Sequence, residues 1–509
     1  ADRARAVDPG FALTASNASL VADIVARLDR PPLAIELAAP RLRVFSLEEL
    51  PRRLDPSLGL LTEGPVDQDE RQQTLRDAIA WSHELLSAGE QATLRRLAAF
   101  RGGFTIDATE TVTAGPPVAD VSLAVSSLVD ASLVERFAQP GPARFAMLET
   151  IRDFAATQLR AAGEIDDVAG RHARFYADFA AQAEPELVGH EPKRWLDRVA
   201  SEHPNLRAAL TWLRDHDPAE GMLLAGRLWR FWHLRGHLAE GHHWLEQLLD
   251  AGEPGPNVAR VTALIGLAGI CYWQADLDAA ATRYWEALDL LEHLDHWRLE
   301  ADALSGLVAT LVCHGDKLAQ ARPLAEQFQA LAAERQQPEL ELRTNAVVGT
   351  IRLFSGDIDG ARPLAEASAA ALRDAYLPWL EGEAVRAAGH MAHAQGRHDE
   401  AEERLRRALQ IGWEIQNLVG VATDLHWLGR VAVAQGRPED GVVLAAAASR
   451  LRDAVGGGLT VQLYQYDVDD PVDAARRVLS SAEFERAWAI GNAQPLDEVV
   501  TGELAAAQD

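Results

Sequence analysis

The stretch Gly356-Asp-Ile-Asp-Gly-Ala361 lies between two segments with helix-like apolar spacing, and it returns along the chain. Its counterparts are Gly236-His-Leu-Ala-Glu-Gly241, Ala275-Asp-Leu-Asp-Ala-Ala280, Gly315-Asp316, Gly396-Arg-His-Asp-Glu-Ala401 and Gly436-Arg-Pro-Glu-Asp-Gly441. A turn recurring about every 40 residues between helical segments marks a solenoid of stacked helix pairs. No single pair can bury its apolar faces alone, so the six pairs of residues 221–450 are expected to share one core.

The composition sets the bounds around that ladder. A chain of 509 residues with 48% hydrophobic residues can form several domains, and its 49 basic against 76 acidic residues give a net charge of -27. Such a surface repels phosphate backbones and anionic membranes. Cys271 and Cys313 are too few and too far apart for a disulfide framework, which fits a cytoplasmic setting, and no apolar run is long enough to span a membrane. The only lysines, Lys193 and Lys317, follow no glycine-rich turn of the P-loop kind. His233, His237, His242 and His243 straddle a turn with no carboxylate at ligand spacing, so no metal is expected. With no nucleophile or carboxylate pair in a recognisable arrangement, the chain is not expected to be an enzyme.

Upstream of the ladder the pattern changes. Trp81, Leu85, Leu94, Leu97 and Phe100 fall at helical spacing, and Ser87 with Glu90 has the spacing of a capping box. A helix through Val121 to Leu128 precedes two apolar-alternating runs, Ser132 to Phe137 and Arg144 to Met147, joined by a Pro-Gly turn. Helices followed by such a hairpin describe a winged helix, here residues 61–160. The helix from Val118 to Leu128 offers Asp120, Ser122, Ser126 and Ser127 rather than Arg or Lys, so direct DNA binding is not expected. Residues 1–60 have helical spacing, with Leu33 to Ala39 following two prolines and Ser46 with Glu49 opening a further helix.

Several of these stretches, in one order, resemble the NB-ARC class of bacterial signal-transduction ATPases. They are Asp29-Arg-Pro-Pro-Leu-Ala-Ile-Glu-Leu-Ala-Ala39, Arg71 to Ser82, Leu97 to Phe104 and Leu128 to Val134. The resemblance implies that residues 1–60 end the ATPase's helical subdomain, that 161–220 form a helical connector and that 451–509 cap the solenoid. It also implies that a missing N-terminal part carries the P-loop. Pro32 matches the family's adenine-side proline, although a proline-started core helix explains it equally. In the segment Met147 to Ala155, Leu148 stands where the family has a phosphate-facing His, and Glu149 where it has an Asp. Leucine donates no hydrogen bond, so no cofactor is expected in this chain, and ADP or ATP only together with the missing ATPase portion.

The fold expected is mostly α: a helical subdomain and winged helix, then an α-solenoid of tetratricopeptide-like pairs. Small residues at Gly389, Gly429, Gly441, Ala401 and Ala445 match the close-packing positions of such repeats. Projecting the first helices onto a concave groove gathers Arg230, His233, Tyr272, Trp273, Arg343, Thr350, Leu353, Arg386, His390, His393, His426 and Arg430. This basic and aromatic strip fits either internal stacking and salt bridges or a groove for an acidic peptide or small anionic ligand. The functional expectation is a sensor region that binds an inducer or a protein or peptide partner and controls its own ATPase domain in a longer parent. The alternative is a scaffold that docks proteins without switching.

Overall fold

The computed structural model describes residues 70–137, 142–314, 317–457 and 470–505, together with positions 13, 17, 20–22 and 46. The expected helical subdomain with Pro32, the Ser46–Glu49 capping box and the Gly315-Asp316 turn lie outside the described residues. The chain divides into two compact units: residues 1–176 with 202–212, and residues 177–201 with 213–509. The stretch expected to be a separate connector, 161–220, is thus shared between the two.

In the first unit, α1 (Glu70–Glu84), α2 (Ala88–Leu97), α3 (Ile106–Thr113), α4 (Val121–Asp130) and α5 (Glu149–Ala161) surround a small sheet. Ser87 opens α2 with a complete capping box, its side chain accepting from the Glu90 amide while the Glu90 carboxylate accepts from Ser87. Leu94, Leu97, Val112, Leu128 and Ala155 are buried together in the unit's core. The hairpin strands are β2 (Glu135–Phe137) and β3 (Arg144–Ala146), and β3 also pairs antiparallel with β1 (Phe104–Thr105), giving the order β1-β3-β2. A two-residue strand is too short to show alternation, which is why β1 escapes a sequence reading. Two long helices follow, α6 (Ile165–Glu186) and α7 (Pro192–His216).

The second unit holds six helix pairs among the described residues. They are α8 (Pro218–Leu234) with α9 (Leu238–Ala251), α10 (Val258–Trp273) with α11 (Leu277–Leu291), and α12 (Trp297–Cys313) with α13 (Leu318–Arg335). Then come α14 (Pro338–Phe354) with α15 (Ile358–Asp374), α16 (Pro378–Ala394) with α17 (His398–Ile415), and α18 (Leu418–Ala434) with α19 (Pro438–Val455). The repeat governs both kinds of turn. Gly356, Gly396 and Gly436 close first helices at φ 83°, 75° and 80°, and Gln336, Tyr376 and Gln416 close second helices at φ 51°, 53° and 60°. Since the turns are short, a 40-residue period is accommodated by long helices rather than long linkers.

Side chains repeat with the backbone. Gln395 donates to Asp359 at 2.7 Å, and 40 residues on Gln435 donates to Asp399 at 2.9 Å. At Gly429 a Cβ would stand 2.8 Å from the carbonyl oxygen of Gly441, so α18 and α19 approach as closely as backbones allow.

The array coils until its ends meet: α8 packs against α18, and the Gly236 turn rests on Val455 at the end of α19. Beyond it, α20 (Pro471–Arg476), α21 (Ser481–Ala493) and α22 (Leu496–Ala505) cover the outer face of the last pairs, with Phe484 and Ala487 packed on Val442. Among the described residues no helix is long and apolar enough to cross a membrane.

Candidate functional site

Closure of the repeat unit changes the meaning of the basic strip. An open concave groove would leave the strip facing solvent. Instead His233, Arg386, His390, His393, His426 and Arg430 are buried, because first helices from opposite sides of the coil face one another across its interior. Arg230 of α8 shows how: its guanidinium lies 3.7 Å from the Trp229 ring and 4.2 Å from that of Trp379 on α16. Burial lowers its pKa to about 10. His233 stacks on Trp273 at 4.3 Å between centroids, and His390 on Trp427 at 3.8 Å.

The interior charges are matched by carboxylates that the strip itself does not contain. Arg386 donates to both Asp424 oxygens, at 2.6 and 3.0 Å, and to Glu383 at 2.6 Å. Arg343 donates to Asp302 at 2.8 Å and to the Ser305 hydroxyl at 2.6 Å. Burial pushes the Asp424 carboxyl up to about 6 even though Arg386 opposes the shift. Burial also acts against the Arg386 charge, but Asp424 and Glu383 more than offset it and hold its pKa above the usual value. The histidines go the other way. Burial first, then neighbouring guanidiniums, drives His390 well below its ordinary value and His426 to about 3, while burial and His398 take His393 to about 4.

Beside this network a cavity of about 300 Å³ opens among α12, α14, α15 and α16. Val312, Leu353, Leu372, Leu380 and Met391 form much of its wall, with Tyr272, Arg343, Ser368, Glu383, Arg386 and His390 as polar members. The Ser368 hydroxyl and His390 Nε2 are buried there without a hydrogen-bond partner among the described residues. That combination, an apolar concavity with a few converging polar groups, is the chemistry of a small-molecule site.

Of the projected groove residues, Tyr272, Arg343, Thr350, Leu353, Arg386 and His390 line the cavity. Arg230, His233, Trp273, His393, His426 and Arg430 do not; they belong to the surrounding stacked and charged interior. Glu383, one turn before Arg386, was within reach of the helical pattern. Ser368 was not, because it comes from the second helix of its pair. Leu148 and Glu149 do not line the cavity. Leu148 is the exposed residue preceding α5 and makes no side-chain cap, and Glu149 pairs with Arg152.

Residues 86–160 match the winged helix-turn-helix domain family. Those residues hold α2 to α5 and the sheet. The chain is also 38% identical over 289 residues to a protein of Mycobacterium tuberculosis provisionally named as an HTH-type transcriptional regulator, covering 55% of this chain and 32% of that one. It is 37% identical over 174 residues to an uncharacterised protein of the same organism, covering 34% of this chain and 44% of that one. The chain therefore spans about a third of the length of the regulator it matches. Among solved structures it is similar to a signal-transduction ATPase with a tetratricopeptide repeat sensor from Pyrococcus horikoshii, at 14% identity and a TM-score of 0.44, over 94% of this chain and 74% of that one. A Rap protein complexed with competence and sporulation factor is similar at 12% identity and a TM-score of 0.43, over 66% of this chain and 99% of that one.

Proposed function

We propose that this chain is the regulatory region of a transcriptional regulator of the signal-transduction ATPase type, and that its repeat unit is the sensor. The observation that carries this reading is the cavity of about 300 Å³ inside the coil, apolar in its walls and supplied with polar groups. The winged-helix match and the sequence likeness to a provisionally named HTH-type regulator support the regulatory context. On this reading an inducer binds one form of the repeat unit better than another and thereby shifts the parent protein between a restrained and an active form. Nucleotide chemistry belongs to the ATPase portion of the parent. The chain itself acts by binding, without catalysis of its own.

The internal placement of the former groove residues favours a small inducer over the docking of a protein along the concave face. Thermal-shift screening of the chain against small metabolites, peptides and candidate protein partners separates the two readings. A metabolite that raises the melting temperature in proportion to its occupancy supports the sensor. If a protein partner alone stabilises the chain, the non-switching scaffold replaces it. ATP and ADP should leave the melting temperature unchanged, and tight binding of either would place a nucleotide site in this chain.

A further inference from the structure

Resting on the reading of the cavity as the sensor's ligand site, we propose that its ligand is an uncharged, mostly apolar small molecule bearing a hydroxyl, carbonyl or amide group. The same residues that look basic in the sequence carry the argument. Three of the lining side chains have a formal charge, Arg343, Glu383 and Arg386, and each is already engaged. Arg343 is held by Asp302, and Arg386 by Asp424 and Glu383. Arg230, behind the wall, feels Asp302 and Glu383 at longer range. Both guanidiniums that line the cavity, Arg343 and Arg386, are thus paired with carboxylates.

An ionised ligand entering this space loses its water and finds no unmatched counter-ion. A carboxylate could pair with Arg386 only by displacing Asp424, which is itself fully buried, or Glu383. An ammonium would have to take Glu383 from the same arginine. A neutral ligand meets neither conflict.

What the cavity does leave unmet is neutral hydrogen-bonding capacity. Ser368 is 1% exposed and His390 5% exposed; both line the cavity, and the hydroxyl of one and Nε2 of the other have no partner among the described residues. His390 is kept unprotonated by burial and by the nearby guanidiniums, so it presents an imidazole rather than an imidazolium. A neutral imidazole and a hydroxyl can each donate or accept, so a ligand hydroxyl, carbonyl or amide can complete either of them. Buried polar groups left without partners are costly, so a ligand that completes them gains specificity over one that is merely apolar.

Three probes of one shape test the proposal: 2-naphthylmethanol, 2-naphthoate and 2-naphthylmethylammonium, each titrated into the full chain by isothermal calorimetry at pH 7.5. The expected result is that the alcohol binds about tenfold or more tighter than either ion, the direction set by unmatched desolvation. Ser368→Ala should weaken the alcohol by roughly fivefold to tenfold. His390→Phe, which keeps a ring on Trp427, should do the same, with circular dichroism establishing that both variants fold. Should His390→Phe fail to fold, Ser368→Ala carries the test. Preferred binding of naphthoate or of the ammonium overturns the neutral-ligand inference and leaves the sensor reading standing. Alcohol binding that neither substitution changes also overturns it, because the probe then occupies another place. If none of the three binds, the inference falls, and the sensor reading falls with it only when the metabolite screen is also empty.

Discussion

Each unit buries a polar cluster, and the two clusters end differently. In the winged-helix unit, Glu202 accepts from Arg144, from the Tyr176 hydroxyl at 2.8 Å and from Asn205 at 2.9 Å. Asn205 also donates to the Gly103 carbonyl at 2.9 Å and accepts from the Arg101 amide at 2.6 Å. The last two bonds join residues about a hundred positions apart in sequence, and the network turns in on itself. In the repeat unit, Arg386, Asp424 and Glu383 form a comparable network, yet the Ser368 hydroxyl and His390 Nε2 beside it have no hydrogen-bond partner among the described residues, next to a cavity. A buried network that closes on itself specifies structure. One that stops short at a cavity leaves something for a ligand to complete.

The largest test of that contrast is Glu202→Ala. It strips Arg144, Tyr176 and Asn205 of a shared partner and should cost about 3–5 kcal/mol in urea unfolding, the range for breaking a buried ion pair. A loss below about 1 kcal/mol would show that the first network is not structural.

Acid should expose a feature the two units share. Burial takes His172 in the first unit to about 4, and His393 in the second is also held at about 4. Their folded pKa values lie below the unfolded value near 6.5, so the stability they contribute is complete above pH 6.5 and is lost as pH falls towards 4. Each accounts for on the order of 3 kcal/mol over that window. Asp424 runs the other way: its raised pKa contributes stability that is present below about pH 4 and lost as pH rises through about 6. The histidines outnumber it, so unfolding free energy measured from pH 7.5 to 4.5 should decline. His172→Gln should flatten that decline.

Gly429→Ala is expected to cost about 1–3 kcal/mol, since the new methyl would press on the Gly441 carbonyl where two helices meet. Ser368→Ala should have the smallest effect, within about 0.5 kcal/mol on stability, because the hydroxyl it removes has no partner among the described residues. A large loss there would mean that Ser368 is part of a closed network after all, and the contrast between the units would fail.

The repeat period was legible because glycine and short polar residues mark left-handed turns wherever they recur, and the winged helix because its capping box and hairpin are local signals. The interior was only half legible. Arg386 and His390 were placed on the inner face by helical spacing, but their surroundings depend on Asp424 and Trp427 from the next repeat. Sequence spacing cannot tell a strip facing solvent from one facing the far side of its own coil. The basic character of the strip was legible residue by residue, but the choice between internal salt bridges and an open groove was not, because Asp302 and Asp424, which pair with Arg343 and Arg386, come from other repeats. Ser368 carried no signal at all: a serine in an alanine-rich second helix looks like any other small packing residue.

The meeting of α8 with α18 also constrains how this sequence can change. An open solenoid gains or loses a repeat at the price of one interface, and its neighbours scarcely notice. Here the first and last pairs are neighbours, so deleting one 40-residue unit would pull Val455 from Gly236 and α16 from Arg230 at once. Repeat number in this unit is therefore a fixed quantity, and relatives should vary in the residues facing the cavity well before they vary in how many pairs surround it.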